Sequence, residues 1–148
     1  MKKILVSACL LGIPCRYDGK SKPIQTVIDL KDKYNLIPIC PETLGGLPIP
    51  RIPAEIQGDR VIRKDGTDVT LEYERGANKS LEIALENNCK IAILKAKSPS
   101  CGNCEIYDGT YTKTLIKGKG VTANLFEKNG ILVINESELH KLNEDNSK

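Results

Sequence analysis

The chain has few aromatic side chains and almost no excess of charge. It contains no Trp, one Phe and five Tyr, and its 22 Lys and Arg against 19 Asp and Glu give a net charge of only +3. Proteins that bind nucleic acid usually have a clustered basic surface and aromatic side chains on which bases stack. We therefore find no strong signal for nucleic-acid binding.

Long apolar runs are also missing, and the opening segment does not predict a secretion signal. No run reaches the roughly 18 residues that a membrane span needs. The opening segment has a short apolar run, which Ser7 and Cys9 interrupt, and no small-residue cleavage site follows it. We expect no membrane association and a cytoplasmic location, where thiols stay reduced. The six cysteines therefore indicate metal binding or catalysis rather than disulfide bonds.

The pattern of apolar residues predicts alternating strands and helices. Buried strands are expected at residues 4–6, 36–39, 91–94 and 131–134, and helices from about 21 to 35, 71–87, 121–128 and after Asn135. This order is typical of a Rossmann-like α/β domain, a mostly parallel sheet with helices on both faces. We expect a single domain over residues 1–143 and a frayed tail at 144–148.

Two segments of the chain depart from this alternation. Residues 40–56 contain four prolines, which predicts neither regular helix nor central strand. Turn signals on either side of residues 60–63 predict a small β excursion.

Three cysteines follow three successive predicted strands. Cys9 comes after the first, Cys40 after the second and Cys101 after the third. Loops that follow parallel strands gather at one edge of the sheet, where open α/β folds bind ligands. The order therefore predicts that the three thiols converge, although Cys9 or Cys15 taken alone is more often a small buried apolar residue.

The neighbours of these cysteines supply further candidate groups. Glu42 provides a carboxylate two residues after Cys40, and Ser98 and Ser100 provide hydroxyls beside Cys101. We interpret them as candidate catalytic or substrate-orienting residues.

Cys101 and Cys104 form a C-x-x-C pair. That spacing indicates a redox pair or half of a zinc site, and it is weak without a second pair or a histidine ligand. His140, the only histidine, falls in the predicted last helix and is expected at the surface, and Cys89 is expected in the core.

Five motifs in order resemble a bacterial and archaeal family whose characterised members are thiouracil desulfidases. They are SACLLG-x-x-CRYDG at 7–19, CPE-x-x-GGLP-x-PR-x-PAEI at 40–56, DVT at 68–70, LK-x-x-SPSCG at 94–102 and IYDG at 106–109. The resemblance covers nearly the whole chain.

This resemblance implies a [4Fe-4S] cluster held by Cys9, Cys40 and Cys101, with one iron left open. Cys15 belongs to the same pattern and is a reserve ligand or a neighbour of the site, with zinc as the alternative metal. Cys104 lies outside the pattern, which leaves open a fourth thiolate ligand or a separate redox role.

The implied reaction is the non-redox removal of sulfur from a small thiolated pyrimidine such as thiouracil. In that reaction Glu42 would act as general acid or base, and Ser98 and Ser100 would orient the heterocycle. Two alternatives stay open at this point, a metal or cluster carrier and a thiol oxidoreductase that uses Cys101 and Cys104.

Overall fold

A parallel sheet forms the centre of the structure, a computed structural model that describes residues 1–142. Within that range the strands are β1 Lys3–Ser7, β2 Asn35–Ile39, β3 Ala54–Gln57, β4 Arg60–Arg63, β5 Ile91–Ile93, β6 Glu105–Tyr107, β7 Leu115–Lys117 and β8 Leu132–Ile134. The central sheet has the order β2-β1-β5-β8, and its pairings are all parallel. The predicted α/β class with a mostly parallel sheet is confirmed.

Helical segments cover both faces of this sheet. They are α1 Gln25–Ile28, α2 Pro41–Leu44, α3 Thr70–Glu86 and α4 Val121–Lys128. Because side chains alternate along a strand, Ile4 of β1 packs with Val27 of α1 on one face. Leu5 packs on the opposite face with Ala84 of α3 and Phe126 of α4. β1 therefore lies between two apolar cores, which explains its uninterrupted apolar sequence.

The long helices match their predicted positions closely. α3 and α4 differ from the predicted ranges 71–87 and 121–128 by at most one residue at each end. Gly130 follows α4 with a φ of 78°, the left-handed conformation expected of a residue that ends a helix. Among the described residues, no helix is both long enough and apolar enough to cross a bilayer.

The first predicted helix, from about 21 to 35, is wrong in length and type. One turn of α1 is followed by a 3₁₀ segment, Asp29–Asp32, and β2 already begins at Asn35. The Asn35 amide donates to the carbonyl of Lys2, so Asn35 is hydrogen-bonded in the sheet as the first residue of β2. Pairing with β1 overrides the local helical pattern.

The proline-rich segment contains more regular structure than predicted. α2 occupies residues 41–44, with Pro41 in its first turn, where the missing N–H of proline removes no helical hydrogen bond. β3 follows near the end of the segment and pairs with β4, so the predicted β excursion at 60–63 is confirmed as one arm of an antiparallel hairpin. A second hairpin, β6 with β7, was not predicted, because strands of three residues are too short to show a period.

The end of the described chain forms turns before it becomes helical. The amide of Asn135 donates to Oε1 of Glu138 at 3.0 Å, a contact that is typical of the start of a helix. Residues 136–137 and 139–140 nevertheless form turns, and helix begins only at 141. The predicted domain limit at 143 and the tail 144–148 lie outside the described residues.

Two glycines allow α2 to lie directly against α3. A Cβ added at Gly76 of α3 would stand 1.8 Å from the carbonyl oxygen of Pro41, and one added at Gly45 would stand 1.9 Å from the carbonyl oxygen of Glu72. In both cases the nearest atom is a backbone oxygen of the other segment. No flexible side chain could therefore move to make room for the Cβ. This contact fixes the segment that directly follows Cys40.

We expect Gly76→Ala to destabilise the protein by at least about 2 kcal/mol. An alanine in an exposed helix is about 1 kcal/mol better than glycine, but here overpacking against Pro41 reverses the sign. Asn78→Ala, at an exposed position of the same helix, is the matched control and should change the free energy of unfolding by less than about 0.5 kcal/mol. Chemical denaturation of both variants measures the difference, and equal stabilities would contradict the close contact.

Candidate metal centre

The carboxyl ends of β1, β2 and β5 open into one cavity. It has a volume of about 430 Å³ and is lined by four cysteines, Cys9, Cys15, Cys40 and Cys101. Cys9 lies in a 3₁₀ turn directly after β1, Cys40 directly after β2, and Cys101 in the loop that follows β5. The structure thus brings the three cysteines of the predicted set to one cavity, as parallel pairing at one sheet edge requires.

Cys101 is held in the floor of this cavity by groups from two strand ends. The hydroxyl of Ser7, the last residue of β1, donates to Sγ of Cys101 at 3.5 Å and accepts from the amide of Lys95 at 2.9 Å. The amide of Cys101 donates to Oγ of Ser98 at 3.0 Å. Burial raises the pKa of the Cys101 thiol to about 12.

Cys15 and Cys40 are in contact across the cavity wall. The thiol of Cys40 donates to the carbonyl of Cys15 at 3.7 Å. The pKa of Cys40 is strongly raised, first by hydrogen bonding with the Cys15 side chain and then by burial. Without a cation these thiols stay protonated, and a bound soft metal is what favours their thiolate forms.

The donor set fits an iron–sulfur cluster better than a single ion. Sulfurs around one tetrahedral zinc lie within about 4 Å of each other, since each Zn–S bond is about 2.3 Å. Over residues 1–142, no group of three or more His, Cys, Asp or Glu side chains is arranged to hold one metal ion. An iron–sulfur cluster is an inorganic core larger than one ion, and thiolates bind it from outside. Such a core suits three thiols that reach one cavity from three separate strands.

The remaining two cysteines lie elsewhere. Cys104 is exposed and lies beside a shallow surface depression with Asn103 and Glu105, outside the cavity. Cys101 lines the cavity and Cys104 the surface depression, so the two thiols of the C-x-x-C pair lie in different surroundings. Cys89 is 2% exposed and packs in the core, as predicted.

Glu42 lies in the cavity wall, within a buried polar cluster. The guanidinium of Arg51 donates twice to Oε2 of Glu42, from Nε at 2.8 Å and from a terminal nitrogen. Tyr73 of α3 is the third member: burial raises the pKa of its phenol well above the usual value, and the Glu42 charge and a hydrogen bond with Glu42 raise it further. Its hydroxyl thus keeps its proton and can donate to the carboxylate.

The structure separates the two predicted serines. Ser98 lines the cavity, where its hydroxyl accepts hydrogen bonds from the amides of Ser100 and Cys101. The hydroxyl of Ser100 pairs instead with that of Thr122 at 2.7 Å, buried at the start of α4 and outside the cavity lining. Ser100 is therefore not among the residues that line the cavity, because the turn at residues 99–101 directs its hydroxyl to Thr122.

Several residues that line the cavity were not predicted to belong to the site. Four of the five tyrosines, Tyr17, Tyr73, Tyr107 and Tyr111, line the cavity together with Arg51. Arg51 lies in the same motif as Glu42, at residues 40–56. An acidic and a basic residue in one motif could have indicated an ion pair between them. In the sequence, Tyr73 cannot be told from the other apolar residues of an amphipathic helix. Only the packing of α3 shows that it lies at the site.

Comparison with known proteins agrees with this geometry. A family described as 2-thiouracil desulfurase matches residues 4–138. An uncharacterised protein of Bacillus subtilis (strain 168), YbbK, is 43% identical over 149 residues, which cover 94% of this chain and 99% of that protein. A solved structure of the [4Fe-4S]-dependent thiouracil desulfidase TudS is 42% identical and superposes with a TM-score of 0.91 over 99% of both chains.

Proposed function

The chain belongs to the 2-thiouracil desulfurase family, and from that premise we propose that it removes sulfur from free thiolated pyrimidines such as thiouracil. The observation that carries the proposal is the meeting of three cysteines and a carboxylate at one cavity of about 430 Å³, a volume suited to a small heterocycle. In the overall reaction, water replaces the thiocarbonyl sulfur, uracil and hydrogen sulfide are released, and no electrons are gained or lost.

Cys9, Cys40 and Cys101 are the residues that we propose to hold the cluster. When bound there by three thiolates, a [4Fe-4S] cluster supplies a Lewis-acidic iron that can polarise a carbon–sulfur bond. Cys15 is proposed as a neighbour of this set that shapes the wall beside Cys40 and serves as a reserve ligand.

The other side chains of the cavity would bind the base and move protons. The tyrosine rings that line the cavity offer flat apolar surfaces against which a pyrimidine can stack. We infer that Ser98 hydrogen-bonds the heterocycle and that Glu42 delivers or accepts the proton that water attack requires. The Glu42 side chain is only 13% exposed, which limits the access of bulk water to this carboxylate.

We expect Cys40→Ser and Cys101→Ser to lose most of their iron after anaerobic reconstitution. Serine is a poor ligand for a soft metal compared with a thiolate. Cys89→Ala and Cys104→Ser are the matched controls, because one lies in the core and the other at the surface, and Cys15→Ser should also keep most of its iron. Iron and sulfide analysis measures the outcome, and loss of the cluster in Cys104→Ser would instead indicate four thiolate ligands.

The reconstituted wild-type protein should convert thiouracil to uracil and sulfide in equal amounts without an added electron donor. Product chromatography and a sulfide assay under anaerobic conditions follow both products. Protein that holds a full cluster but releases no sulfide from thiouracil or other thiolated pyrimidines would contradict the proposal. That result would favour a cluster carrier.

Glu42→Gln should keep its iron and lower the turnover of thiouracil by about 10²-fold or more, the usual contribution of a general acid or base. The amide is similar in shape to the carboxylate but does not exchange a proton. Turnover, iron content and melting temperature are measured on one preparation. Wild-type turnover would eliminate the catalytic role, and a fall in both turnover and melting temperature would point to a structural role within the buried cluster.

A further inference from the structure

Arg51 is a buried cation on the loop between α2 and β3. Its side chain is only 6% exposed, and that of its partner Glu42 is 13% exposed. Two charges in such a place lose most of their hydration, and a well-packed apolar pair often stabilises a protein as well or better. Stability alone is therefore a weak reason for this ion pair.

We propose that Arg51 is a positioning residue for desulfurisation, which fixes the Glu42 carboxylate at the cavity beside the three cysteines. This inference rests on the proposed function, because it assigns Arg51 a task in that same reaction. Arg51 acts through Glu42 and is not itself required to touch the substrate.

The hydrogen bonds of Arg51 support this assignment. Both of its bonds to Glu42 end at the same oxygen, Oε2, so the pair fixes the direction of the carboxylate and leaves Oε1 for another partner. A planar guanidinium can hold an oxygen in this forked manner, whereas the ammonium of a lysine acts as a single point charge.

Arg51 is itself fixed to the loops that surround the site, through its guanidinium and through its backbone amide. Its Nη1 donates to the carbonyl of Pro48 at 3.2 Å, and the Arg51 amide donates to the carbonyl of Tyr17 at 2.8 Å. Tyr17 follows Cys15 by two residues, so Arg51 ties the loop of the first cysteines to the loop after Cys40. Tyr73 contacts Glu42 from α3. The carboxylate is therefore held by groups from two elements of the fold.

Arg51→Lys is the informative change, since it keeps the charge and removes the fork. We expect kcat to fall about 10- to 100-fold with KM changed less than about threefold, the size of loss that small displacements of a catalytic group cause. Iron content should stay at the wild-type level. Arg60→Lys is the matched control, because Arg60 forms an ion pair with Asp68 that is exposed to solvent. This change should leave kcat unchanged.

A double-mutant cycle tests whether Arg51 acts through Glu42. If it does, Arg51→Lys combined with Glu42→Gln should be no slower than Glu42→Gln alone, because the group that Arg51 positions is already lost. Multiplied losses in the double variant would overturn the proposal. If Arg51→Lys folds poorly, Arg51→Ala provides a second test. Added guanidinium should then restore the turnover of Arg51→Ala. Failure to restore it in folded, iron-loaded protein would also count against the proposal.

A crystal structure of reconstituted Arg51→Lys separates this inference from the proposed function. The Glu42 carboxylate should leave the position that it has in the wild-type protein, whichever reaction the site performs. A Glu42 that stays in place would overturn the positioning role even if wild-type protein desulfurises thiouracil. Wild-type protein that lacks desulfidase activity would overturn the proposed function, while a displaced Glu42 would still establish that Arg51 controls its placement.

Discussion

The parallel pairing of β1 with both β2 and β5 is the constraint on which the site depends. β1 lies in the middle of the sheet, and its register with β2 runs over its full length, from Lys3 opposite Asn35 to Ser7 opposite Ile39. Because the three strands run in the same direction, the residues that follow them emerge at the same edge. Cysteines far apart in sequence thereby reach one cavity without any bond between them.

A second constraint keeps the segment after β2 close to the sheet. Gly45 and Gly76 allow backbone contact between α2 and α3, and this contact holds the four residues after Cys40 against a long, well-packed helix. Glu42 lies on that short helix, and Tyr73 reaches it from α3. The position of the carboxylate is thus set by helix packing, while its direction is set by Arg51.

The chemical character of the site follows from burial. The raised pKa values of Cys40 and Cys101 mean that the protein does not stabilise thiolates there by itself. A metal core bound by these cysteines as thiolates would compensate for that cost, and its binding would release protons. The same burial removes water from Glu42 and Arg51, which strengthens their interaction and makes its geometry more exact.

The sequence by itself determined the fold class, the long helices α3 and α4, and the cysteines that follow successive strands. The fold class and the helices follow from the periodic pattern of apolar residues, and the positions of the cysteines follow from the order of the strands along the chain. Both can be recognised in short stretches of the sequence. It also pointed to Glu42 and Ser98 through the motifs around them. It failed where pairing between distant segments overrides local pattern, as at Asn35, which belongs to β2 rather than to a helix.

Tertiary structure alone decided which neighbours of the cysteines face the cavity. Ser98 and Ser100 are equivalent in sequence, yet one lines the cavity and the other is buried against Thr122, because a tight turn separates them. Cys101 and Cys104 look like a pair, yet one lies in the cavity floor and the other at the surface. Side-chain direction in a loop depends on contacts with elements that lie far away in the chain, and no local pattern records those contacts.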